Sequence, residues 1–246
     1  MGDPPDEMPL VFMYHSIASY TEDPYLITVR PERFEAQMHW LWRHGRRGVS
    51  MRTLLDRRRR GEGGDLVGLT FDDGYLDFFD HVPRVLARYG FTATVFAIAG
   101  RLGGTNEWDG DGPRKRLMDA RNLRELVAMG IEIGSHGMRH VHVPALPPDG
   151  VEDELLHSRE LLESVIDTPV TGFCYPYGDV DGKTITSVRE ARYDYACAVS
   201  HSAWDSRFAI PRVYVGDRDT GLRLRAKRLR HRIRTGDSRL EPAVRD

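Results

Sequence analysis

Two adjacent carboxylates, Asp72 and Asp73, end the apolar run LVGLTF at residues 66–71, and Gly74 follows them. The run has the length and composition of a buried strand, and the glycine permits a sharp turn at its end. Side chains within a strand alternate in direction, but at a strand end that turns, two neighbours can look into one cavity. Paired carboxylates repel, so a positive charge is expected beside them, most simply a metal ion. A solvated Asp-Asp-Gly turn is the alternative. His136 and His140 are four residues apart, so on one helical turn they would face the same way, which is metal-ligand spacing. Among ten histidines such a pair arises readily by chance. Its place just after a short apolar segment, like that of Asp73, gives it weight. Two imidazoles and one carboxylate leave coordination positions open, the arrangement of a hydrolytic metal site. His142 falls off that face and is expected outside the ligand set, at the surface or behind the ligands.

Those residues need elements to carry them. Residues 9–17, PLVFMYHSI, read as a first buried strand with His15 at its C-terminal end. Pro31 opens a helix that carries Phe34, Met38, Leu41 and Trp42 and stops at Gly45. Ser50 caps the next helix, and residues 57–64 form a polar link of arginines and glycines. After TFDDG the spacing predicts a helix over 77–89, a strand over 91–99 and a long loop or lid over 101–117 containing Trp108. A helix over 119–129 and a strand over 131–135 come next. A long helix over 149–166 leads to strands at 170–174, 195–199 and 210–215. This alternation predicts an α/β fold, a parallel sheet or barrel of about seven strands in one domain. The candidate polar residues sit at strand C-termini, where such folds build their sites. The final basic helix, over 220–234, has Leu222, Ala226, Leu229 and Ile233 on one face, and that face is expected to pack on the barrel, with a membrane-surface or nucleic-acid role as the alternative.

Composition sets limits. A chain of 246 residues with 40% apolar content can bury one large core. A net charge of −2 argues against a nucleic-acid partner for the molecule as a whole. Two cysteines, Cys174 and Cys197, do not make a disulfide framework and are expected as buried free thiols. The acidic, proline-rich start shows no secretory signal and no run can span a bilayer, so a cytoplasmic location without stable membrane insertion is expected. Composition gives no oligomeric state.

TFDDG, SHGMRH and FCYPYG, in this order and at these separations, resemble the motifs of the polysaccharide deacetylase family, the NodB homology domain of carbohydrate esterase family 4. The likeness runs from about Leu10 to Arg234. It implies a distorted (β/α) barrel and removal of N-acetyl groups from an amino sugar or N-acetylglucosamine glycan. It further implies Asp72 as general base and Asp73, His136 and His140 as ligands of a divalent cation. Zinc is the default ion, with cobalt, nickel, manganese or iron also compatible with such a donor set. The backbone N–H of Tyr177 is implied as an oxyanion donor.

The chain departs from the family pattern twice. Where many members place an arginine that orients the base, this chain has Cys174; Arg212 is the best substitute. The family's acid histidine usually lies in a C-terminal Leu-x-His motif. Leu229–Arg230–His231 matches it literally, but in a basic helix instead of after an apolar strand. His15 has the right setting, and it resembles the tyrosine-histidine motif of the branch related to poly-N-acetylglucosamine deacetylases. Trp108 and Trp204 are candidates for walls against a sugar ring, with packing in the core as the alternative for at least one. A hydrolase of a small acetylated amide, or a silent carbohydrate-binding module, are the competing readings.

Overall fold

The computed structural model describes residues 8–235; the acidic N-terminal stretch lies outside them. In chain order the strands are β1 (Val11–Tyr14), β2 (Ser16–Ile17), β3 (Thr28–Val29), β4 (Arg47–Val49), β5 (Leu66–Phe71), β6 (Thr94–Ala97), β7 (Glu132–Ser135), β8 (Gly172–Cys174), β9 (Tyr195–Cys197) and β10 (Val213–Tyr214). The helices are α1 (Pro31–Arg43), α2 (Met51–Arg59), α3 (Leu76–Tyr89), α4 (Ala120–Ala128), α5 (Pro148–Glu152), α6 (Ser158–Ile166), α7 (Gly182–Glu190) and α8 (Gly221–Thr235). A π-helical turn, Asp153–His157, joins α5 to α6.

Seven strands form one parallel sheet in the order β10-β1-β5-β6-β7-β8-β9, with β4 added beside β5. The chain before β10 closes the curl. Ile210 N donates to Ala196 O at 2.8 Å and Ala198 N to Ile210 O at 2.9 Å, after which β10 pairs with β1. The fold is the distorted (β/α) barrel that the alternation and the resemblance imply. The short strand β4 and the helix α7 were not expected. Residues 182–190, GKTITSVRE, lack a strong apolar stripe, and the helix is set by its Asp181–Thr184 capping box instead.

Alternation within the strands divides the core. Val11, Phe96, Cys174, Tyr195, Cys197 and Ile210 point inward as one cluster. Phe12, Leu69, Val95 and Phe173 point outward under the helices. The N-terminal end of the barrel is filled by the start of α2. Met51 N donates to Thr94 Oγ1 and Arg52 N to Glu132 Oε2, while Tyr195 Oη also donates to Glu132. A buried carboxylate at a helix N-terminus satisfies N–H groups that the helix leaves unpaired. Polar side chains therefore gather at the opposite, C-terminal end.

Helix α8 reverses the expected orientation. Leu222, Leu229 and Ile233 are 82%, 52% and 73% exposed, and the buried residues are Leu224 and His231 on the other face. The barrel wall offers acceptors to that face: His231 Nε2 meets Met8 O at 3.0 Å, and Lys227 bonds Tyr214 O and Asp219.

Candidate active site

Strand register brings the first three residues together. Tyr14 pairs with Phe71, and Asp72 N donates to Tyr14 O at 3.0 Å, so His15 and Asp72 leave adjacent strands side by side. His15 Nε2 lies 3.9 Å from Asp72 Oδ2. Arg212 enters just before β10, on the other flank of β1. Its guanidinium forks onto Asp72, with Nη1 2.6 Å from Oδ1 and Nη2 2.7 Å from Oδ2. Nε donates to Ala198 O and Nη1 also to Thr70 Oγ1, which fixes the fork in its plane. Nη2 also lies 3.1 Å from Cys174 Sγ. The position where the family resemblance implies an arginine thus holds a small thiol, and the guanidinium arrives from another strand. Burial pushes the Asp72 carboxyl up, but Arg212 more than offsets this and holds it below the ordinary carboxylate value. Asp72 is 3% exposed and remains an anion at neutral pH.

A second cluster adjoins it. His136 Nε2 and His140 Nε2 each lie 3.4 Å from Asp73 Oδ1, and all three residues are buried. The two histidines do meet, but not through a helical turn. Residues 136–140 are irregular, with φ of +80° at Gly137 and +63° at His140. A buried carboxylate holds this loop. Glu154 Oε2 accepts from Met138 N and Arg139 N, and Oε1 from Arg139 Nε. A Cβ at Gly137 would stand 2.5 Å from Glu154 Oε2, so only glycine lets the two approach. Glu154 belongs to the π turn, a local widening that recurs at functional sites. Nothing in the sequence reading pointed to it; the one available cue was an acid set beside core leucines. His136 Nδ1 donates to Cys174 O at 2.8 Å, which turns its Nε2 toward Asp73.

The donor set fits a divalent cation. Asp73 Oδ1 is buried and makes no hydrogen bond, a cost of about 1–3 kcal/mol if nothing binds it. Burial raises the Asp73 carboxyl, yet the two imidazoles facing it bring it well below its usual value. An ionised carboxylate oxygen without a partner, facing two imidazole nitrogens, is what a cation of this class binds. A second set, Asp72, His136 and Cys174, is equally close-packed. There the Arg212 guanidinium already occupies both Asp72 oxygens and touches the thiol, so a cation would meet a fixed positive charge. Charge therefore favours the Asp73 set.

The remaining candidates line the mouth. Tyr177 adopts φ +58° in the turn after β8, and its ring stands edge-on to His140 with centroids 4.6 Å apart. Trp108, in the loop over residues 102–118, stacks on His140 at 4.7 Å. Its neighbour Asp109 accepts from Tyr75 Oη and Asn106 Nδ2, which ties the loop across the site. Neither Asp109 nor Tyr75 stood out in the sequence. His142 stacks on the Tyr177 ring and pairs with Asp179 at the surface, outside the ligand set as expected. Trp204 stands over Gly182 at the start of α7, 45% exposed. His231 is held at Met8, at the opposite end of β1 from His15. Cys174 and Cys197 are buried free thiols and register partners on β8 and β9.

Residues 59–196 match the family model described as polysaccharide deacetylase. The chain belongs to the polysaccharide deacetylase family. YxkH of Bacillus subtilis, named for the same family, is 28% identical over 191 residues, covering 77% of this chain and 63% of its own. The poly-beta-1,6-N-acetyl-D-glucosamine N-deacetylase of Staphylococcus aureus (strain MRSA252) is 22% identical over 77% of this chain and 68% of its own. Among solved structures, BC0361, a polysaccharide deacetylase from Bacillus cereus, superposes with a TM-score of 0.75 at 25% identity, over 89% of this chain and 68% of that one. The chain thus spans about two thirds of the length of each of these proteins.

Proposed function

We propose that the chain is a metal-dependent N-deacetylase of an N-acetylated amino sugar, with N-acetylglucosamine glycans as the leading substrate class. The observation that carries this reading is the pairing of two adjacent clusters: an unpartnered Asp73 oxygen facing two imidazoles, and a buried Asp72 anion held by Arg212 beside His15. Asp73, His136 and His140 would hold the cation, zinc by default. Such an ion supplies Lewis acidity, acidifying water and polarising an acyl oxygen.

The chain's own groups divide the rest of the work. Asp72, fixed in one plane by the guanidinium, accepts the proton of the attacking water. The backbone N–H of Tyr177 donates to the oxyanion that develops on the acetyl group. His15, 3.9 Å from Asp72, delivers a proton to the departing nitrogen, without which an amine is a poor leaving group. Trp108 and the Tyr177 ring form aromatic walls at the mouth, suited to the face of a sugar ring. Acetate release from N-acetylglucosamine oligomers, measured with the cation supplied and after chelation, tests the proposal. Release that requires the cation supports it. A retained cation with no release from any acetylated sugar would move the reading to a small non-sugar amide or to a silent carbohydrate-binding module.

A further inference from the structure

Helix α8 carries charge and apolar surface in an arrangement that the deacetylase chemistry does not use. Its sequence, GLRLRAKRLRHRIRT, holds six arginines and one lysine and no acid. At 3.6 residues per turn, Leu222, Ala226, Leu229 and Ile233 fall within one narrow arc. All four are exposed, and the arc lies opposite the face that buries Leu224 and His231. Arg223, Arg230 and Arg234 flank the arc on one side, and Arg225 and Arg232 on the other. Arg228 is partly buried nearby; burial, with Arg46, Arg225 and Arg232 around it, pushes its guanidinium down to about 10. The result is an outward apolar stripe about 17 Å long, edged on both sides by cations.

Three kinds of occupant can be compared by their chemistry. A second copy of this chain would bring the same row of cations against itself, and the charges would repel. A nucleic acid would satisfy the arginines but would leave the apolar centre of the stripe against phosphates and water. An anionic lipid surface satisfies both parts: the leucines and isoleucine enter the acyl boundary while the arginines reach sideways to the headgroups. Among the described residues no helix is long and apolar enough to cross a membrane, so α8 would lie flat. We infer that α8 is a peripheral docking surface for an anionic membrane. It runs down the barrel flank from the β10 end to Met8, which lies at the opposite end of β1 from His15.

The test is co-sedimentation of the full chain with phosphatidylcholine vesicles, with and without phosphatidylglycerol. The expected result is sedimentation only when phosphatidylglycerol is present, reversed by high salt. Replacing the stripe, as L222S/L229S/I233S, should weaken partitioning more than about tenfold, because several buried CH₂ groups are lost from the interface. Replacing Arg223, Arg225 and Arg230 with glutamine should weaken it about fivefold for each charge removed. All these side chains are exposed, so folding and acetate release serve as controls in the same preparations. No sedimentation with anionic vesicles, equal sedimentation of the serine variant, or tight binding of duplex DNA that the serine variant retains would each overturn the inference.

Discussion

Arg212→Met isolates the device that keeps Asp72 ionised. The guanidinium makes two charge-assisted bonds to the carboxylate, at 2.6 and 2.7 Å, and both groups are buried. Methionine fills a similar space but removes the charge, leaving a buried anion alone. Removing one partner of a buried pair costs about 3–5 kcal/mol. With burial opposed only by the weaker pull of His136 and His15, the Asp72 carboxyl moves up from its depressed value. Two readouts follow. In the pH profile of kcat/KM, the acid limb shifts to higher pH, and the rate at neutral pH falls by about 10²-fold as the base is lost. Stability carries the same signature. In the wild type the depressed Asp72 contributes stability above the unfolded carboxyl value of about 3.9, and this is lost as pH falls through the folded value. In the variant the shift has the opposite sign, so its deficit against wild type is greatest at neutral pH and shrinks on acidification. Denaturant unfolding at neutral and acid pH, alongside the activity profile, checks both. Superimposed profiles and a deficit independent of pH would refute the account of Arg212.

Other perturbations separate the remaining roles. Glu154→Gln should weaken cation affinity by about 10–100-fold in titration calorimetry, because it loosens the loop that sets His136 and His140. His15→Ala should keep its bound cation and lose about 10²-fold or more in kcat, whereas His136→Ala or Asp73→Ala should lose the cation itself, as elemental analysis would report. His231→Ala should cost about 1 kcal/mol of stability through the lost bond to Met8 O while acetate release per folded molecule is kept. Loss of activity there would transfer the acid role from His15 to His231.

Much of this arrangement was legible because it is local or periodic. The LVGLTF run, the proline that opens α1 and the serine cap of α2 each impose their structure over a few residues, and they lie where expected. The barrel followed from alternation of strand and helix. The motif order placed Asp72, Asp73, His136 and His140 at one end, and the structure brings them together there. The means were less visible. Spacing suggested that a helical turn unites His136 and His140, whereas Gly137 and Glu154 do so through tertiary contact across 17 residues, which no local pattern encodes. Asp109 and Tyr75 join by a bond between loop and strand end. The error at α8 has a different cause. An apolar stripe on a helix normally marks its buried face, but periodicity does not say which face has partners, and here His231, Lys227 and Leu224 turn the other side inward.

Anomalous diffraction at the zinc edge, from crystals of the chain grown with zinc, tests the central claim most directly. The account predicts one strong peak bound by Asp73 Oδ1, His136 Nε2 and His140 Nε2, with the Arg212 fork on Asp72 intact beside it. A peak among Asp72, His136 and Cys174, or none near Asp73, would contradict it.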